Sequence, residues 1–233
     1  MATLKCRGQD CWNAFMVEGA VFSPNDIPIC PENCYAIPKQ LISFPDAKTL
    51  YRKSVRHDPD FFVDAFIHFY VDDEKFDGPL KGIWQAPQDA LKIFRHFAGI
   101  ITPDFSTYVD FPMPLKLYNT YRMRAFGVWA AAHGIPIIHN IRWGTEESFS
   151  YCFDGIPCGS IVSIGAVASH LQDALSRELF VHGFCKMLQV VRPCDILIYG
   201  SISYVRDFLP VPSSMIHVYA GSTAEHFRGR CRR

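Results

Sequence analysis

The chain lacks any apolar run near the roughly 20 residues that a helix needs to cross a bilayer. It also lacks net charge: 23 Lys and Arg residues balance 23 Asp and Glu. A protein that coats nucleic acid needs a basic excess to neutralise phosphates. Neither a membrane nor nucleic acid is therefore the expected partner. There is no Gly-x-Gly-x-x-Gly turn and no Walker motif, the usual signals of dinucleotide and NTP sites. No internal repeat and no low-complexity tract appears. The opening Met1-Ala-Thr-Leu-Lys-Cys6 has no apolar run after a basic start, so no secretory signal is expected. The expected setting is a reducing, cytoplasmic one, in which the 9 cysteines are mostly free thiols. The basic end, Arg228 to Arg233, is short and reads as a solvated terminus.

What is present is apolar and aromatic. The 233 residues are 49% hydrophobic and include 19 Phe. That is ample for a large core and fits one large α/β domain. Residues 1–38 read as a separate Cys-rich leader with little periodicity. Cys6, Cys11, Cys30 and Cys34 form two pairs, and four thiolates can close a tetrahedral site. A structural zinc is thus the cofactor the leader suggests, against idle thiols as the alternative.

From residue 39 to 233 a single β/α domain is expected. Short apolar strands are read at 41–44, 66–71, 100–102, 135–143, 160–165, 195–199 and 215–219. Helical spacing is read at 45–53, 87–97, 112–133, 145–153 and 171–191, with a further helix after Gly221. Unbroken apolar strands alternating with helices mean a parallel sheet covered on both faces. The predicted fold is a compact or incomplete TIM-like β/α barrel. An open doubly wound sheet is the alternative.

Six motifs then stand in order. They are Trp84-x-x-Pro87, Thr102-Pro-Asp-Phe-Ser-x-Tyr-x-Asp-x-Pro112, Tyr118-Asn-x-Tyr-Arg-x-Arg124, Asn140-x-x-Trp-Gly144, Tyr151-Cys-Phe-Asp-Gly-Ile-Pro157 and Tyr199-Gly200. Together they resemble the bacterial and phage family catalogued as domain of unknown function 4417, over about residues 41–219 and without the leader. His139 departs from the proline of that pattern. The resemblance implies a bacterial or mobile-element setting and carries no activity.

In a β/α barrel the strand C-termini converge on one mouth, where ligands sit. Those ends supply Asp72, Asp73, Asp104, Ser106, Tyr108, Asp110, Asn140, Arg142, Trp143, Gly165, Tyr199, Gly200 and Ser201. Asp104 and Asp110 are the acids placed for proton transfer, with Arg142 as the cation for a phosphate or carboxylate. Asp110 also reads as a cap for the helix after it. Arg122 and Arg124 read as anion contacts or as a structural network with Asp104 or Asp154. Three strands each carry one histidine, His68, His139 and His217, a metal set only if all three point inward. Cys152 is a nucleophile only if a histidine lies beside it. The expected function is a hydrolase or lyase acting on a phosphorylated or nucleotide-like small molecule. The alternative is a non-catalytic phage or mobile-element protein that sequesters a ligand or docks on a host protein.

Overall fold

The computed structural model describes residue 10 and residues 12–79, 81–167 and 169–221. Seven strands form one sheet: β1 (Leu41–Ser43), β2 (Val63–His68), β3 (Phe97–Ile101), β4 (Ile137–Asn140), β5 (Ile161–Gly165), β6 (Asp195–Tyr199) and β7 (Ile216–Tyr219). They lie in sequence order and every neighbouring pair is parallel. A doubly wound sheet needs a reversal of strand order. None occurs, so that alternative is excluded. Because β-strand crossovers are right-handed, sequential order puts every helix on one face. The other face can leave water only by curling on itself.

It does curl. The rings of His68 on β2 and Tyr199 on β6 are 4.2 Å apart between centroids. In a flat sheet those strands would be about 19 Å apart, at about 4.8 Å per strand. The lumen is filled by Phe66, Ile101, Ile138, Ile161 and Leu197, with Cys34 and Ile37 from the N-terminal segment. There is no eighth strand among the described residues. Across the gap between β7 and β1, the Tyr219 hydroxyl donates to the Pro38 carbonyl at 2.5 Å. The result is an incomplete TIM-like barrel with an open seam.

Four helices cover the outside: α1 (Phe44–Ser54), α2 (Pro87–Phe94), α3 (Met113–Ala132) and α4 (Ala174–Val190). α1 starts where the Ser43 hydroxyl accepts from the Asp46 N–H, with proline in its first turn. α2 turns Ala90, Leu91, Ile93 and Phe94 onto the sheet. α4 begins three residues later than the sequence suggests, because Asp173 caps it through the Ser176 N–H. The helix expected over 145–153 is only a 3-10 turn, Glu146–Ser150, and Thr145 makes no side-chain cap. Serine and two glutamates there lack the apolar stripe that holds a longer helix to a sheet. The helix expected after Gly221 lies outside the described residues.

The N-terminal segment is not a separate layer. Met16, Val17 and Cys30 are buried in the cluster that packs α1, α2 and α3 against the sheet. Asn33 stitches it to the entry of β4: its amide donates to the Ile135 carbonyl and its oxygen accepts from the Ile137 N–H, both at 2.9 Å.

Candidate functional site

The loop after β3 is held from behind by α3. Asn119 donates to the Ser106 carbonyl at 2.5 Å, and the Lys116 ammonium donates to the Val109 carbonyl at 2.6 Å. In front, the Asp73 carboxylate accepts from the Ser106 N–H and hydroxyl at 3.1 and 2.8 Å. These bonds aim Asp104 into the barrel. Its two oxygens accept from the Asn140 amide at 2.8 Å and from the Arg142 guanidinium at 2.6 Å. The bonded chain continues through Asn140 to the Tyr70 hydroxyl at 3.1 Å and on to Ser163 at 2.7 Å. Strands β2, β3, β4 and β5 thus contribute to one buried polar floor.

Above it opens a cavity of about 860 Å³, walled by the C-terminal ends of all seven strands. Asp72, Asp73, Asp104, Ser106, Tyr108, Arg142, Gly165 and Tyr199 line it as the sequence suggests. Asn140 lies fully buried in the floor beneath. His68, Tyr70, Lys39 and Tyr219 line it too. Of these, Tyr70 had a readable signal: Phe66, His68 and Tyr70 alternate, and alternate residues share one face of a strand. The His68 Nδ1 accepts from the Tyr70 N–H at 3.2 Å, which leaves the proton on Nε2. Burial pulls His68 down to about 4, so the ring is neutral near pH 7.

Four sequence-predicted residues fall elsewhere. Asp110 sits on an exposed turn, lines neither cavity and does not cap α3, whose N-terminal flank is Pro112. Gly200 is buried at φ +112° beside Val167. Ser201 is exposed, with its hydroxyl 3.2 Å from that of Ser203. Trp143 leaves the lumen and lines a second cavity of about 210 Å³ against α4.

Electrostatically the mouth is mixed. The pairs Lys39–Asp64 and Lys75–Glu74 are exposed and contribute little. The Asp104–Arg142 pair is sheltered. Burial pushes the Asp104 carboxyl up, against the pull of Arg142 and Asn140. Asp104 in turn pushes Arg142 up, so the guanidinium stays charged. Among the described residues one Arg142 nitrogen is engaged, and the side chain borders both cavities, so its remaining donors face space open to an anion.

The other two arginines are structural. Arg122 is ion-paired with Asp77 and stacked 3.7 Å from the Phe105 ring centroid, beside Trp84 and Tyr118. Arg124 is buried and donates to three carbonyls, those of Asp154, Asn140 and Cys152, at 2.8 to 2.9 Å. Cys152 is buried with its thiol pushed up to about 12, which is not a nucleophile's state.

Of the zinc set, only Cys30 and Cys34 fall among the described residues, and they are not joined: each is a free thiol, in a different part of the core. Cys6 and Cys11 lie outside the described residues. The Cys30 thiol donates to the Arg124 carbonyl at 3.3 Å and the Cys34 thiol to the Ala36 carbonyl at 3.6 Å. The three histidines do not meet either. His68 faces the mouth, His139 packs beside Arg124, and His217 bonds Asp195 at 2.7 Å. Among the described residues no group of three or more His, Cys, Asp or Glu side chains is placed to hold a metal ion. Nor is any described helix long and apolar enough to cross a membrane.

A singly wound, seven-stranded incomplete barrel with a polar mouth at its strand ends is thus the class of molecule. Residues 19–210 match the family model described as "Domain of unknown function (DUF4417)", and the chain belongs to that family. The match starts inside the segment read as a leader, in keeping with its burial. Among curated proteins, the chain is 32% identical over 141 residues to the "Gene 1 protein" of Mycobacterium phage L5, covering 60% of this chain and 59% of that one. The "Gene 1 protein" of Mycobacterium phage D29 is 31% identical over 141 residues, covering 60% and 50%. The matched region thus spans only about half to three-fifths of those relatives. No solved structure matches.

Proposed function

We propose that the mouth binds a small anionic molecule, phosphorylated or nucleotide-like, with Arg142 as its anchor. The observation that carries this is the Arg142 guanidinium, oriented by the buried Asp104 and still holding unused donors at the cavity wall. A planar guanidinium fixed on one side by a carboxylate presents its other edge ready-oriented. Tyr70, Tyr108 and Tyr199 add ring faces and His68 an Nε2–H donor. The nearby Asp72, Asp73 and Asp104 disfavour a highly charged ligand, so a monophosphate fits better than a triphosphate.

Hydrolase or lyase turnover is the narrower reading. Both Asp104 oxygens are already engaged, so Asp104 serves Arg142 as a positioning residue, and His68 serves as a neutral Nε2–H donor. Isothermal titration with ribose 5-phosphate and nucleoside 5′-monophosphates tests the binding. A dissociation constant below about 1 mM that weakens at least about tenfold in Arg142→Ala is expected. No binding by any of these ligands, or binding unchanged in a folded Arg142→Ala, overturns the reading.

A further inference from the structure

The second cavity shares three lining residues, Tyr108, Arg142 and Gly165, with the mouth. One arginine therefore stands as the partition between two spaces of different character. The mouth is polar. The smaller space has an apolar wall of Ile164, Leu179 and the Trp143 and Phe180 rings, whose centroids are 5.4 Å apart, and is lined as well by Thr107, Ser169, His170 and Ser176. Trp143 is seated by α4: a Cβ on Gly183 would come within 2.2 Å of its indole. The helix thus has a gap cut for this ring. At about 210 Å³ the space matches about seven waters by liquid volume, enough for one six-membered ring.

We propose that the cavity beside Trp143 is a specificity subsite for the same ligand, taking an aromatic or compact apolar group attached to the anion that Arg142 holds. This rests on the anion reading of the mouth. The chemistry is that of a mixed ligand: Arg142 satisfies the charge at the partition, and the ring leaves water for an apolar wall. Tyr108, exposed on the pinned loop after β3, forms the partition's other half.

The test compares inorganic phosphate with benzyl phosphate as probes. Benzyl phosphate is expected to bind at least about tenfold more tightly than phosphate. It is also expected to quench tryptophan emission in the wild type but not in Trp143→Phe. Ser176→Phe, which places a ring in the subsite from the α4 side, should erase the benzyl advantage and leave phosphate binding intact. Equal affinity for the two probes, or equal loss of both in Ser176→Phe, overturns the subsite while leaving the anion site standing. If phosphate and benzyl phosphate both fail to bind the wild type, the anion site falls and the subsite with it.

Discussion

Arg124 shows how a single residue can look functional and be structural. It is a buried cation that donates to three carbonyls, tying α3 to the end of β4 and to the turn before β5. Arg124→Met leaves those carbonyls unpaired inside, at a cost of about 1–3 kcal/mol each before relaxation. We expect a net loss of about 3–5 kcal/mol by urea denaturation, the range for breaking a buried charged network. Histidine burial sets a second residue-scale expectation. His68 is pulled down to about 4 and His139 to about 3 by desolvation. In the unfolded chain each titrates near pH 6.5, so the unfolded state binds more protons below that pH. Stability is therefore full above about pH 6.5 and falls as the pH drops toward 4. Each histidine contributes about 1.4 kcal/mol per pH unit in that window. Urea titrations at pH 7.5 and 5 check this. His139→Leu should remove about half of the acid sensitivity, and its stability at pH 7.5 should not fall, since the His139 Nδ1 is buried with no hydrogen-bond partner among the described residues.

At the scale of elements, the turn Tyr151–Gly155 is a clamp on α3, not a reactive loop. Gly155 has φ +74°, and a Cβ there would lie 2.3 Å from the Pro28 carbonyl and 3.1 Å from the Arg124 side chain. Gly155→Ala combines a left-handed backbone penalty of about 1–2 kcal/mol with overpacking of about 1–3 kcal/mol. A loss of about 2–5 kcal/mol is expected by chemical denaturation. Gly155→Asn, which tolerates that backbone better, separates little from it if the clash dominates. The cap of α1 is a milder case. Ser43→Ala removes the acceptor for the Asp46 N–H and should cost about 1 kcal/mol.

For the whole molecule, the open seam and the N-terminal segment belong together. Residues 12–38 close one end of the lumen with Cys34 and Ile37 and deliver Pro38 to the Tyr219 hydroxyl at the seam. Met16, Val17 and Ile27 are at most 6% exposed. At about 1.5–3 kcal/mol per buried side chain, these three alone contribute roughly 5–9 kcal/mol. A domain's whole stability is about 5–15 kcal/mol. A chain beginning at residue 39 should therefore show no cooperative thermal transition by circular dichroism. A sharp transition near that of the full chain would show instead that the segment is a dispensable appendage.

Much of the architecture was legible because it is local. Apolar runs at 66–71, 160–165 and 195–199 mark strands buried on both faces, and their alternation with helices dictates a parallel sheet. That Asp104, Arg142 and Tyr199 meet was also legible, since strand ends in such a sheet converge. The choice between barrel and open sheet was not local. It depends on strand order, which only the packing of helices on one face decided. Asp110 and Trp143 show the limit within the site. Asp110 lies nine residues beyond the end of β3 and Trp143 three beyond the end of β4, and side-chain direction there follows from loop bonds and from a gap in α4 at Gly183. The Cys-rich start read as a leader because it has no periodicity. Its apolar residues are scattered, and only the tertiary fold separates Met16, Val17, Ile27, Cys30 and Cys34, which are buried, from Trp12, Val21 and Tyr35, which stay exposed.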